Sequence, residues 1–357
     1  MRAALLNWYD QHKRELPWRQ TRDPYRVWVS EVMLQQTTVA TVIPYYERFL
    51  TSFPTLDRLA RAPEENVLQL WSGLGYYHRV RNLQKAAKQI SDSGGTIPRD
   101  ALSLAELPGI GRYTAAAIAS IAFDQSVPVV DGNVVRVLTR LFGLSGDPTR
   151  SPTKKLIEER AAGLIDPARP GDFNQALMEL GATVCMPRAP RCGVCPWSER
   201  CAARMGGNPE RFPALPPRRE SIPVLRAAAL VADEQKRVLL KRIPPGEPNQ
   251  GLWEFPSAEI VRGASVPTPL RWSATLRARA ESALLESRGL RLSLREAVAT
   301  VRHAITHHRI AVTLFHATQH RRTIAGEGEA WLAPSSLSER PLTSAARKLS
   351  RHLGNTK

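Results

Sequence analysis

The sequence predicts a chain built in two parts, an all-helical first part and an α+β second part, and three observations predict it. Apolar residues recur at helical spacing up to about residue 184. Beyond residue 222 short apolar runs separated by turns replace that period, and between the two lies a stretch rich in Gly, Pro and Arg. A length of 357 residues leaves room for two or three domains, and 43% hydrophobic residues suffice for buried cores, which excludes disorder throughout.

In chain order, the apolar run 3–6 meets Asn7, Asp10, Lys13 and Arg14 at once, which leaves no h-region for a signal peptide. A cytoplasmic protein is expected, associated with the nucleoid if the source is bacterial. Residues 5–123 read as successive amphipathic helices, for example Pro63-Glu64-Glu65-Asn66-Val67-Leu68-Gln69-Leu70-Trp71, with Pro in the first turn and acids after it. The longest nearly uncharged apolar stretch, 115–123, is far shorter than the roughly 18–20 residues of a membrane span, so no membrane partner is expected. Helices continue to about residue 184. Gly206-Gly207-Asn208-Pro209 through Pro213, Pro216, Pro217, Arg218 and Arg219 then reads as an extended basic linker, which puts a domain boundary at 203–222. In the second part, 224–231 and 237–241 are short apolar runs with a turn between them, and 310–317 alternates in places. No repeat at a solenoid period is present. The last residues, 355–357, are expected to fray.

Lys and Arg number 50 against 33 Asp and Glu, a formal charge of +17. Such an excess favours a polyanion such as DNA or RNA over a small acidic molecule, the alternative being charge kept for solubility. All four cysteines, Cys185, Cys192, Cys195 and Cys201, fall within 17 consecutive positions with six, two and five residues between them. Disulfides would be unusual in a reducing compartment, and two bridges in so short a loop would do little for so long a chain. The grouping asks for a metal centre, and four thiolates suit either tetrahedral zinc or an iron–sulfur cluster.

Leu107-Pro108-Gly109-Ile110-Gly111-Arg112-Tyr113-Thr114 lies between two helical segments. Gly109 and Gly111 permit a tight turn whose backbone N–H groups can hold a phosphate at the start of the next helix; a plain helix–helix turn is the simpler reading. Eighteen residues after Tyr113 stands Asp131, in Val129-Val130-Asp131-Gly132-Asn133-Val134, immediately before a new amphipathic helix, where an acid ordinarily caps free N–H groups. Glu31 stands among Trp28, Val29, Val32, Met33 and Leu34, where desolvation would favour its protonated form; an exposed helix acid is the alternative.

The order of these features, the Gly turn, then Asp131, then cysteines at this spacing, resembles the endonuclease III superfamily of DNA glycosylases over residues 1 to about 202. That resemblance implies a helix-hairpin-helix motif with Gly109 and Gly111 on DNA phosphate and a catalytic Asp131. It implies one 4Fe-4S cluster on Cys185, Cys192, Cys195 and Cys201. It further implies a six-helix module at about 22–130 and a cluster module formed by 1–21 with 131–202. Arg188, Arg191 and Arg200 beside the cysteines are then candidates for further phosphate contacts.

Three strings narrow the resemblance to the MutY-type adenine DNA glycosylases: Leu16-Pro17-Trp18-Arg19, Trp28-Val29-Ser30-Glu31-Val32-Met33-Leu34-Gln35-Gln36-Thr37 and Gly73-Leu74-Gly75-Tyr76-Tyr77. Breaking an N-glycosidic bond asks for a proton on the leaving base and an anion near the oxocarbenium ion. By resemblance Glu31 protonates adenine at N7, Asp131 stabilises the sugar cation or a transient covalent intermediate, Tyr113 assists, and Asn133 positions water. Bifunctional relatives carry a Lys where Tyr113 stands, and Tyr cannot form a Schiff base, so a monofunctional enzyme is expected. Gln36 and Tyr76 resemble wedge residues, and Trp18, Arg19, Leu34 and Gln175 the adenine pocket; core packing is the plainer reading of Trp18, Leu34 and Tyr76.

Gly251-Leu252-Trp253-Glu254-Phe255-Pro256 resembles the strand that precedes the Nudix box of MutT-like domains, but the box itself is broken. Ser282-Ala283-Leu284-Leu285-Glu286-Ser287-Arg288-Gly289 keeps one carboxylate where the family has a cluster, too few oxygen ligands for magnesium-dependent hydrolysis. Residues 223–357 are therefore expected to be an inert Nudix-like domain which, by the same resemblance, reads 8-oxoguanine. Its reading loop would be His303-Ala304-Ile305-Thr306-His307-His308, with Thr306 and His307 at the lesion and Ile305 in place of the family's Phe; a surface His cluster is the alternative. The expected partner is duplex DNA with adenine opposite 8-oxoguanine or guanine, bound by a monomer. The rivals are an endonuclease III-type or thymine-mismatch glycosylase and an inactive lesion-binding module.

Overall fold

The computed structural model describes residues 1–217, 220–266, 270–319 and 328–353. Arg218 and Arg219 of the expected linker, and the expected frayed end at 355–357, lie outside the described residues. The chain divides into two compact units, Met1–Arg61 with Arg79–Pro217, and Ala62–His78 with Arg218–Lys357.

In chain order the helices of the first half are α1 (Arg2–His12), α2 (Pro24–Leu34), α3 (Val39–Ser52), α4 (Leu56–Arg61), α5 (Glu64–Trp71), α6 (His78–Asp92), α7 (Ala101–Ala105), α8 (Arg112–Phe123), α9 (Gly132–Phe142), α10 (Ser151–Leu164), α11 (Pro170–Thr183) and α12 (Ala202–Met205). Helix α2 starts where Asp23 accepts from the Arg26 amide and Pro24 takes the first turn, whose missing N–H costs nothing there. Residues Val27 through Met33 are all buried, so α2 runs through the core and carries Glu31 inside. Helix α8, rich in alanine, lies against α2, α7 and α11. Helix α9 buries Val134, Val137, Leu138 and Leu141 at helical spacing and stops at Gly143, whose φ of +65° suits glycine. With Leu5 and Tyr9 of α1 and Leu177 and Leu180 of α11 they form one apolar core, each buried Leu or Val contributing about 1.5–3 kcal/mol.

The second unit contains β1 (Ile222–Val231), β2 (Val238–Arg242), β3 (Trp253–Glu254), β4 (Ser257–Arg262), α13 (Ala274–Arg288), β5 (Leu292–Ile305), β6 (His308–Gln319), β7 (Glu329–Leu332) and α14 (Ser344–Ser350). One sheet has the order β4-β1-β6-β5 and the other β3-β2-β7. In the first, β1 runs antiparallel to β4 and parallel to β6, while β5 and β6 form a hairpin turning at Thr306 and His307. The period of two is visible in β1: Ala227, Ala229 and Val231 join the cluster of Ala280 and Leu284 of α13, whereas Ala228 and Leu230 join that of Ala346 and Leu349 of α14. The expected runs 224–231, 237–241 and 310–317 fall in β1, β2 and β6.

One expectation needs correction. The start of the linker is folded: α12 and a short turn at Pro209–Arg211 occupy it, because Arg140 donates to the Phe212 carbonyl (3.0 Å) and Glu210 accepts from the Ala189 amide (2.8 Å). Residues 62–78 of the expected six-helix module group by their contacts with the second unit. There Arg340 pairs with Glu65 (2.7 Å), and the Leu342 carbonyl accepts from Ser72 (3.1 Å) and from the Tyr77 hydroxyl (3.3 Å). Among the described residues no helix is long and apolar enough to cross a membrane.

Candidate active site

A cavity of about 620 Å³ opens in the first unit between α2, α8, α9 and α11, and Glu31, Tyr113, Asp131, Asn133, Trp18, Arg19, Leu34, Gln36 and Gln175 all line it. Glu31 is 5% exposed. Burial drives its carboxyl up to about 7, with the Asp131 charge adding to the rise and the Tyr113 hydrogen bond and Arg19 opposing it. The Tyr113 hydroxyl donates to Glu31 Oε2 at 2.8 Å and is itself pushed well above its usual range by burial and by the carboxylates of Glu31 and Asp131. Glu31 can therefore carry a proton near neutrality, beside a phenol that stays protonated.

Asp131 combines both readings open to it. As N-cap of α9 its Oδ1 accepts from the Val134 amide (2.7 Å), and its Oδ2, facing the same cavity, accepts from the Asn133 side-chain amide (2.8 Å). Asn133 is fixed in turn, since its Oδ1 accepts from Arg136 (2.9 Å), which also donates to the carbonyls of Gly181 and Cys185, each at 2.8 Å. A Cβ at Gly181 would meet the Asn133 Cβ at 2.6 Å, so glycine is what lets α11 approach α9 here.

The same cavity is lined by a buried ion group that the sequence reading did not find. Glu179, 1% exposed, accepts from Arg14 through both carboxylate oxygens (2.7 Å each) and from Arg19 (2.8 Å). Burial alone would raise its pKa, but the two guanidinium partners outweigh burial and hold it at about 2. Glu179 lies in the amphipathic pattern of α11, where an acid reads as an exposed face. Its partner Arg14 is 165 positions away in sequence, so only the fold reveals the pair. Trp18 meets Tyr46 edge-on at 5.4 Å, and Met178 lies 3.4 Å from the Tyr113 hydroxyl.

Three of the candidates expected to touch DNA have left-handed backbone: Gln36 (φ 57°), Tyr76 (φ 49°) and Thr306 (φ 52°). Non-glycine residues in that region mark turns imposed by their surroundings. Gln36 follows the end of α2, where buried Arg79 donates to the carbonyls of Val32 (2.8 Å), Met33 (3.1 Å) and Gln35. Tyr76, Thr306 and His307 lie in the second unit and not among the cavity residues. The Thr306 hydroxyl donates to the Ile305 carbonyl (2.7 Å), and its oxygen lies 3.4 Å from His307 Nδ1. Gly109 has φ +76° and a Cβ there would come within 2.4 Å of the Asn82 Cβ, while Gly111 caps α8 with no side chain in front of its first amides.

None of the four cysteines is in a disulfide and all are partly buried. Burial raises Cys195 to about 11, with the charges of the other three adding, so the sulfurs are near neighbours. In the second unit, α13 carries Glu286 as the remaining box carboxylate. The nearby acids are taken up by arginines: Arg288 pairs with Glu247 (3.3 Å) and Glu254 (3.2 Å), and Arg226 with Glu254 (3.6 Å).

Comparison with known proteins bears on all three regions. The model for HhH-GPD superfamily base excision DNA repair protein matches residues 29–162, that for the iron-sulfur binding domain of endonuclease III residues 185–201, and that for the NUDIX domain residues 227–352. The chain is similar to the adenine DNA glycosylase of Rattus norvegicus, 51% identical over 265 residues that make up 71% of this chain and 50% of the rat protein. It is also similar to the adenine DNA glycosylase of Buchnera aphidicola subsp. Baizongia pistaciae, 35% identical over 253 residues, 70% of each chain. Among solved structures, a thermostable thymine-DNA glycosylase is 31% identical, with a TM-score of 0.53 over 57% of this chain and 94% of that one. The chain thus spans about half the length of its rodent relatives. The fold is a helical HhH-GPD unit with a Nudix-like unit after it, and the chain has the binding loop of one 4Fe-4S cluster at residues 185–201, the segment that contains all four cysteines.

Proposed function

Because the chain belongs to the adenine DNA glycosylase family, we propose that it is a monofunctional DNA N-glycosylase that flips adenine out of duplex DNA and hydrolytically removes it opposite 8-oxoguanine or guanine. The observation that carries this reading is the placement of Glu31 and Asp131 on one cavity, one buried without a cation bonded to it, the other held by an amide cap and Asn133. Excision of a purine needs those two states together.

Glu31 delivers its proton to N7 of the leaving base, and the Tyr113 hydroxyl keeps that carboxyl oriented. Asp131, aimed by Val134 and Asn133, faces the sugar as positive charge develops. Tyr113 offers no amine for a Schiff base, so the product is an abasic site with the strand intact. The ion group that shares the cavity supports adenine as the base: a fixed carboxylate on Glu179 accepts from an exocyclic amine, and the guanidinium groups of Arg14 and Arg19 donate to a ring nitrogen beside it. Thymine would turn a carbonyl toward the carboxylate, a mismatch that costs affinity. The iron–sulfur cluster supplies a cross-link among four thiolates in the loop whose Cys185 carbonyl receives Arg136.

The net charge of +17, the open amides at Gly111 and the exposed Arg188, Arg191 and Arg200 support a duplex DNA partner bound through its phosphates. Thr306, whose hydroxyl oxygen is an acceptor at the tip of the β5–β6 hairpin, supports reading of the N7–H that distinguishes 8-oxoguanine from guanine. The test is single-turnover incubation of cluster-loaded protein with duplexes carrying adenine opposite 8-oxoguanine, guanine or thymine, followed by alkali. Release opposite 8-oxoguanine and guanine but not thymine is expected. No release, or removal of thymine from a mismatch, would overturn the assignment.

A further inference from the structure

The turn that carries Tyr76 is held by the same short helix that holds the hairpin carrying Thr306. Arg347 of α14 donates to the Ser72 carbonyl at 2.9 Å, at the start of the turn. The Leu342 carbonyl, just before α14, accepts from the Ser72 hydroxyl (3.1 Å) and from the Tyr77 hydroxyl (3.3 Å), and that hydroxyl also accepts from the Gly73 amide (3.2 Å). The neighbouring residue on α14, Lys348, donates to the Arg302 carbonyl at 3.1 Å on β5, three residues before Ile305, where β5 gives way to the Thr306 turn. Helix α14 is itself fixed: Thr343 caps it through the Ala346 amide (3.1 Å), and Ala346 and Leu349 are buried in the core.

Two of the turn's residues, Gly73 (φ +107°) and Gly75 (φ +73°), have little conformational preference of their own, and Tyr76 between Gly75 and Tyr77 stands in left-handed backbone that a tyrosine rarely adopts unaided. The direction of Tyr76 must therefore come from what grips the turn.

We propose that α14 is a strut joining the wedge turn to the lesion-reading hairpin, with Arg347 as the positioning residue for Tyr76. The two turns then engage DNA as one body, and adenine is unstacked in the same event that reads the base opposite. This rests on the glycosylase reading above, in which Tyr76 is a wedge and Thr306 reads the lesion.

The test compares full-length, cluster-loaded wild type with Arg347→Met and Arg347→Lys on two duplexes. One carries adenine opposite 8-oxoguanine in otherwise paired DNA; in the other the flanking pairs are mismatched, so the adenine is already unstacked. Arg347→Met should lose about tenfold in single-turnover rate on the paired duplex, the effect of one charge-assisted bond, and less than about twofold on the mismatched one. Arg347→Lys should recover part of the loss. Tyr77→Phe, which removes the hydroxyl between Gly73 and Leu342 without changing volume, should repeat the pattern more weakly. Equal losses on both duplexes, or none on either, would overturn the proposal. Fluorescence of 2-aminopurine at the adenine position reports unstacking without excision, and it should rise less with Arg347→Met than with wild type. If wild type releases no adenine from either duplex the glycosylase reading fails, and an equal fluorescence rise for both proteins would then refute the strut by itself.

Discussion

Two buried glutamates line the cavity, and they behave as opposites. Glu31 has apolar neighbours on its own helix and one hydroxyl donor, and burial lifts it to about 7. Glu179 is buried still more completely, yet Arg14 and Arg19 bring it down to about 2. Desolvation acts on both, so the difference lies in the counter-charge. A cavity in which Glu31 carries a proton while Glu179 stays ionised can release a proton from one glutamate and hold a base by its amine with the other. The Nudix-like unit extends the contrast: its Glu247 and Glu254 are paired with Arg288 and Arg226, as Glu179 is with Arg14 and Arg19.

The sharpest way to break this comparison is to remove each proton-handling group. Glu31→Gln should lower single-turnover excision by about 10³-fold or more while duplex affinity changes little, and Asp131→Asn should cost a similar factor. At pH 8 Glu31→Gln should also be more stable than wild type. A carboxyl raised in the folded state contributes stability in full below its unfolded value of 4.5 and loses it as pH rises through about 7. Denaturant unfolding at pH 5 and pH 8 separates the two outcomes.

At Glu179 the sign reverses, since that carboxylate contributes stability above 4.5 that is lost as pH falls through about 2. Glu179→Gln leaves Arg14 and the largely buried Arg19 facing a neutral amide. It should destabilise the fold by about 3 kcal/mol at neutral pH and narrow the preference for adenine over other bases, as thermal unfolding and competition assays would show. Tyr113→Phe sharpens the Glu31 side of the comparison. The phenol lowers the Glu31 pKa, so its loss should move the alkaline limb of the pH–rate profile upward and cost about tenfold in rate. The smallest effect is expected at Thr306→Ala, a loss of a few-fold in discrimination between 8-oxoguanine and guanine opposite adenine, with the pH profile unchanged.

What the sequence made legible was local. Asp131 precedes an amphipathic run and caps it; Glu31 has apolar neighbours on its own helix and is buried; and the β1, β2 and β6 runs alternate or stay apolar as strands do. What it did not show depends on partners far away in the chain. Glu179 meets Arg14 across 165 positions, and Ser72 meets Leu342 across 270, which is why an ordinary-looking acid is an ion-group centre and why residues 62–78 pack with the C-terminal unit. The folded start of the linker has the same origin. Its Pro and Gly content reads as extended chain, and the Arg140–Phe212 bond that anchors it spans 72 positions.

The most direct test of the central contrast is an infrared titration of the carboxyl groups, taken as the difference between wild type and Glu31→Gln from pH 5 to pH 9. A protonated-carboxyl band that belongs to Glu31 and disappears with a midpoint near 7 is the predicted result. A Glu31 already ionised at pH 5 would contradict the account, because Glu31, Asp131 and Glu179 would then all be carboxylates and the cavity would hold no acid for the leaving base.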